Sequence, residues 1–213
     1  MRTLYDYFRS SASYRVRIAL NLKGLDYTSV PVHLVKGEQR RADYLAVNPA
    51  GQVPALVEAG QVLTQSLAIV EYLDEAHPSP PLLPGSALDR ARIRALALTV
   101  ACEIHPLNNL SVLDYLTGTL AVGEDDKLRW YRHWVEKGLA TVEHLLTEDS
   151  RTGRFCHGDT PTLADCCVVP QVFNGQRFDC ALDHVPTVMR IYTECMGLDP
   201  FQRAAPAAQP DAA

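Results

Sequence analysis

Apolar and polar positions in the first 77 residues alternate between two periods. Residues 3–8 and 27–32 read as strands, and residues 12–22 read as a helix with Val16, Ala19 and Leu20 on one face. Lys23-Gly24 stops that helix, with Gly24 at the position after the cap where a left-handed backbone is favoured. Residues 39–47 form a short polar helix that ends near Asn48-Pro49. Residues 53–57 and 61–63 are two further strands, joined by the turn Glu58-Ala59-Gly60. A helix over 65–76 is ended by His77-Pro78-Ser79-Pro80-Pro81. The order β-α-β-α-β-β-α suits a small four-stranded α/β sandwich.

The proline-rich stretch 78–84 reads as a linker, and the pattern beyond it is helical throughout. Helices are expected over 86–102, 105–119 and 125–146. Thr162 can cap a further helix, with Asp165 placed to reach back to the cap. The run from Cys166 to Val169 is so apolar that this helix is expected at the buried centre of its domain. The last helix is expected over 186–197. The predicted organisation is α/β plus all-α: a first domain over 1–81, a helical domain over 87–203, and a disordered Ala/Pro-rich tail over 204–213.

Composition narrows the function classes. With 213 residues and 47% hydrophobic content the chain can build a substantial core. A net charge of −5 without any basic run argues against nucleic-acid binding. No stretch approaches the roughly 18 apolar residues of a membrane span, and the start MRTLYDYF lacks the features of a secretory signal. A cytoplasmic protein is therefore expected. The six cysteines follow no zinc or redox spacing, so reduced structural thiols and no metal site are expected.

Three positions could carry chemistry. Ser10 and Ser11 lie between the first strand and the first helix, where unpaired helix N–H groups can stabilise a nearby thiolate. From position alone, plain N-capping is the commoner reason for serine there. Gln52-Val53-Pro54 precedes a strand; a cis proline would present the Val53 backbone to a short peptide, though an ordinary strand-entry proline reads the same way. Gln65-Ser66 opens a helix whose N-terminus could hold a peptide's α-carboxylate, or could simply be capped.

The run Phe8-Arg9-Ser10-Ser11-Ala12-Ser13-Tyr14-Arg15-Val16-Arg17-Ile18-Ala19-Leu20 resembles the opening motif of zeta-class glutathione transferases, the family that includes maleylacetoacetate and maleylpyruvate isomerases. The resemblance continues through Asn48-Pro49, Gln52-Val53-Pro54, Gln65-Ser66, Leu82-Leu83-Pro84, His105 to Ser111, Gly158 to Asp165 and Arg177-Phe178, and so spans nearly the whole chain. It implies a thioredoxin-like N-terminal domain, a helical-bundle C-terminal domain, a homodimer, and glutathione as cofactor. By the same resemblance Ser10 is the thiol-activating hydroxyl with Ser11 beside it. Val53 supplies backbone bonds to the cysteinyl part of glutathione, Gln52 before it is a further glutathione-binding residue, and Gln65 and Ser66 bind the γ-glutamyl end. Gln39, His105 and Asn109 match other pocket positions, and Arg9 and Arg177 match the cations that would hold a small anionic substrate. Arg15 and Arg17 are weaker candidates, because two arginines on one helix usually serve packing or surface ion pairs.

The family's third motif residue is cysteine, and here it is Ala12, so no mechanism through that thiol is open to this chain. The expected reaction is cis–trans isomerisation of a maleyl compound to its fumaryl isomer. Maleylacetoacetate is favoured because Leu110 and Ser111 stand where maleylpyruvate isomerases carry arginines, although the end of the chain from Phe201 resembles the latter. The alternatives are a maleylpyruvate isomerase, a general glutathione transferase or dehalogenase on small electrophilic acids, and a non-catalytic binding module.

Overall fold

The computed structural model describes residues 1–212. It divides into two units, Leu83–Cys195 and a unit formed by Met1–Leu82 together with the chain from Met196 onward.

The first unit carries β1 (Arg2–Asp6), α1 (Ser11–Leu22), β2 (Thr28–Pro31), α2 (Ala42–Val47), β3 (Ala55–Glu58), β4 (Gln61–Thr64) and α3 (Ser66–Ala76). The sheet order is β2-β1-β3-β4. β1 runs parallel to β2 and antiparallel to β3, and β3 and β4 form an antiparallel hairpin. This is the expected four-stranded thioredoxin-like arrangement. The expected helix over 39–47 begins instead as a separate turn of 3-10 helix, Glu38–Arg40, because Arg41 is extended and ends it before α2.

α1 and α3 pack against each other. α1 ends as expected at Gly24, whose φ of +63° allows the Leu25 N–H to bond the Leu20 carbonyl at 2.9 Å and the Gly24 N–H to bond that of Asn21 at 3.1 Å. Its arginines face inward. Arg17 is 0% exposed and paired with the buried Asp6 at 2.9 Å, so it serves a buried ion pair.

The chain returns to this unit at its end. α10 (Asp199–Ala204) follows α9 (Pro186–Met196) and packs on α1. Tyr14 Oη donates to the Phe201 carbonyl at 3.4 Å, Asn21 Nδ2 to that of Pro200 at 3.0 Å, and Arg17 Nε to that of Ala204 at 3.0 Å. The end of the chain departs from the expected organisation in two respects. Residues 196–203 belong with the first unit, not with the helical domain. The expected disordered tail is ordered over 204–212, with short helical turns at Pro206–Ala208 and Pro210–Ala212; Ala213 lies outside the described residues. Composition suggested disorder, but buried Phe201, Ala204 and Pro206 anchor the segment.

The second unit is helical: α4 (Ala87–Leu98), α5 (His105–Asn108), α6 (Leu110–Gly118), α7 (Glu124–Thr147), α8 (Leu163–Arg177) and most of α9. A π-helical stretch, Thr99–Ile104, joins α4 to α5. The single helix expected over 105–119 is broken at Asn109, which is extended and caps α6 through its Oδ1 on the Val112 N–H at 3.0 Å. α8 is the buried centre, as its apolar run implies, with Leu163 to Val172 all buried. Asp165 receives the Thr162 N–H at 2.7 Å, the Thr162 hydroxyl at 2.8 Å and the Cys156 N–H at 2.9 Å.

Candidate active site

The first unit holds Arg9, Ser10, Ser11, Gln39, Gln52, Val53, Gln65 and Ser66, and the second holds His105, Asn109 and Arg177.

Ser10 closes a turn after β1, with its N–H on the Tyr7 carbonyl at 2.9 Å. Its Oγ accepts the Ser13 N–H at 3.2 Å, so Ser10 is the N-cap of α1. Accepting that bond leaves the hydroxyl proton for a second partner. The capping reading and the thiol-activating reading are therefore compatible: one lone pair satisfies the helix, and the proton can face an anion at the positive helix end. Ser10 is half-buried, Ser11 is buried and Arg9 is exposed, its guanidinium 4.8 Å from the Phe8 ring centre.

The Val53-Pro54 bond is cis. Val53 lies just before β3, whose pairing with β1 reaches Ala55 opposite Tyr5. The preceding Gln52 carbonyl is held by Tyr44 Oη at 2.5 Å and Asn48 Nδ2 at 2.7 Å. Gly51, with φ at +59°, lies so close to the Gln39 backbone that a Cβ there would meet the Gln39 carbonyl oxygen at 3.1 Å. The Gln39 side-chain amide oxygen is buried and finds no partner among the described residues. A buried acceptor without a partner costs about 1–3 kcal/mol, which a ligand donor would recover.

Gln65 precedes α3 with φ at +69° and ψ at +114°, a left-handed backbone rare outside glycine. Strain of that kind is maintained where function needs the geometry. Ser66 opens the helix, and its Oγ accepts from Arg15 Nη1 at 3.1 Å. Arg15 thus places a buried cation behind the N-terminus of α3 and joins α1 to the proposed carboxylate-binding position. Sequence reasoning undervalued Arg15, although its signal was present: a charged residue in a helix otherwise turned inward. Of the two residues that fix the Gln52 carbonyl, Asn48 stood out only as part of the Asn48-Pro49 motif, and Tyr44 was not singled out, since nothing in a short polar helix marks it.

In the second unit His105 opens α5 and is half-buried. Asn109 Oδ1 is used by the α6 cap and by the Ser111 hydroxyl at 2.7 Å, leaving only its amide hydrogens for a ligand. Arg177 is exposed at the end of α8, its guanidinium 4.8 Å from the Phe178 ring centre, and Phe178 stacks on Tyr131 at 3.9 Å. Each of the two expected substrate arginines is therefore seated on an aromatic ring. Such seating reduces the freedom a guanidinium loses when it binds a carboxylate. Burial pushes the Cys156 and Cys195 thiols well up, away from reactivity.

Residues 2–75 match the model of the glutathione S-transferase N-terminal domain. The chain is 50% identical over 203 residues to a maleylacetoacetate isomerase of Rhizobium meliloti, covering 95% of each chain. It superposes on the holo structure of a bacterial zeta-class maleylpyruvate isomerase with a TM-score of 0.97 at 48% identity, covering 99% of this chain and 100% of that one. A maleylacetoacetate isomerase of Methylobacterium extorquens AM1, solved with malonate and glutathione bound, matches with a TM-score of 0.96 at 42% identity over 99% of both chains. With this likeness running end to end, the chain belongs to the zeta class of glutathione transferases, among its maleylacetoacetate and maleylpyruvate isomerases.

Proposed function

We propose that this protein is a glutathione-dependent cis–trans isomerase that converts maleylacetoacetate to its fumaryl isomer. The observation that carries the reading is the first unit's pair of helix N-termini: Ser10 capping α1 with a proton to spare, and strained Gln65 with the Arg15-backed Ser66 opening α3. Full-length relatives bearing isomerase names support it.

The residues fit glutathione. The Gln39 amide oxygen needs a donor, the Val53 backbone lies beyond the ladder, and the α3 N-terminus suits a carboxylate. When bound, glutathione supplies a thiolate that adds to the maleyl double bond, permits rotation about it, and is released unchanged. Ser10 Oγ–H donates to the sulfur and lowers its proton affinity, with the α1 dipole acting in the same direction. Ser66 and Gln65 fix the far end of the tripeptide. Arg9, next to Ser10 in the chain, holds a substrate carboxylate and favours the developing enolate charge as well.

Maleylpyruvate is the second reading, favoured by the TM-score of 0.97 to such an isomerase. Against it, Leu110 and Ser111 bring no cation to the start of α6. Turnover of both maleyl substrates under matched conditions decides: the proposal expects a higher kcat/KM for maleylacetoacetate, and the reverse order overturns the choice. A cytoplasmic homodimer completes the reading; among the described residues no helix is long and apolar enough to cross a membrane.

A further inference from the structure

The turn that presents Ser10 is held from the far end of the chain. The Phe8 N–H donates to Asp211 Oδ2 at 3.0 Å, across 203 positions of sequence. The Phe8 carbonyl accepts from Arg17 Nη2 at 2.9 Å, and the Tyr7 carbonyl from Arg17 Nη1 at 3.4 Å. Arg17 is itself fixed by Asp6 at 2.9 Å and by the Ala204 carbonyl at 3.0 Å. Both polar groups of the Phe8 backbone are therefore tied, directly or through Arg17, to residues beyond Met196. The apolar side agrees: Ala212 packs against the cluster of Tyr7, Phe8, Val32, Tyr44 and Val53. That cluster contains the residue at the proposed cysteinyl position and lies directly before Ser10.

We infer that the C-terminal segment is a positioning device for the reaction, with Asp211 acting through the Phe8 N–H to hold the Tyr7–Ser10 turn so that the Ser10 hydroxyl meets the glutathione sulfur. The inference rests on the Ser10 assignment. The Phe8 N–H reaches Asp211 through a single hydrogen bond, and Asp211 is half-buried rather than part of the core. Its loss should therefore move the hydroxyl by a fraction of an ångström without unfolding the unit, and placement errors of that size are enough to slow a reaction.

Two variants separate position from charge. Asp211→Ala removes both the acceptor and the negative charge; Asp211→Asn removes the charge and keeps an acceptor oxygen. Charge loss alone favours a nearby thiolate, so a purely electrostatic role lowers the pKa of bound glutathione in both variants. A positioning role raises it in Asp211→Ala only. The measurement is the ultraviolet thiolate band of bound glutathione against pH, with kcat and with the affinity of S-methylglutathione, which has no thiol to ionise. We expect the Asp211→Ala pKa to rise by about one unit and kcat to fall about tenfold. S-methylglutathione affinity should stay within about twofold, a change of less than a kcal/mol, and Asp211→Asn should remain within about threefold of the wild type. An unchanged band and kcat in Asp211→Ala, a lowered pKa in both variants, or parallel loss of S-methylglutathione binding overturns the inference. Absence of any thiolate band in the wild type would instead strike at the Ser10 assignment, and this inference would fall with it.

Discussion

The Ser10 hydroxyl accepts the Ser13 N–H at 3.2 Å, and its proton is then the group that can meet the sulfur. Ser10→Ala removes both functions. Loss of the cap costs about 1 kcal/mol of stability, whereas loss of a donor aimed at a developing anion costs about 10²-fold or more in kcat. The expected outcome is a modest fall in melting temperature with a large fall in kcat, and the bound thiol titrating at higher pH. The sign follows from the donor: a group that stabilises the thiolate lowers the thiol pKa, so removing it shifts the acid limb of the kcat/KM profile to higher pH. Unchanged turnover in Ser10→Ala removes Ser10 from the mechanism. The serine pair, Val53-Pro54 and Gln65-Ser66 were all legible in the chain because they sit at element boundaries, where helix ends and strand entries leave backbone groups unpaired. Arg15 and Asp211 were hidden for the opposite reason. Their roles are long-range, one across to Ser66 and the other across nearly the whole chain to Phe8.

α8 is seated by one carboxylate. Asp165 takes two backbone N–H groups and the Thr162 hydroxyl in a fully buried setting. Asp165→Ala leaves those donors without partners and is expected to destabilise the fold by about 2–4 kcal/mol; chemical denaturation measures it, and a change below about 0.5 kcal/mol contradicts this account. α4 begins in a second polar network that makes stability depend on pH. Burial, and then the Arg92 guanidinium whose Nη1 lies 3.2 Å from His157 Nδ1, lower the His157 pKa below its usual value of 6.5. The folded state therefore favours neutral His157. Its contribution is complete above the unfolded pKa and is lost as pH falls through the folded one. Stability should decline on acidification below about pH 6.5, and His157→Gln should flatten that decline; an unaltered slope refutes the assignment. The capping box at Thr162–Asp165 was readable from its spacing. The break at Asn109 and the π-helical passage before His105 were not, because an uninterrupted helical period gives no sign of a side chain that turns back to cap.

The four-stranded unit and the helical unit follow from the change of hydrophobic period near the prolines at 78–81. The return of the chain from Met196 to the first unit did not follow, since an Ala/Pro-rich end looks like a solvated tail until Phe201 and the Ala204 carbonyl are seen to meet Tyr14 and Arg17. Every part of the functional reading depends on one consequence: glutathione takes part and is returned. A transferase or dehalogenase on the same fold would keep glutathione in its product, and a binding module would turn nothing over. The most direct measurement is therefore a mass balance during turnover of maleylacetoacetate, following the cis and trans isomers and free glutathione together, with and without added glutathione. The account predicts formation of the fumaryl isomer only when glutathione is present, with all of the glutathione recovered at completion. Isomerisation without glutathione, or stoichiometric loss of glutathione into an adduct, would contradict it.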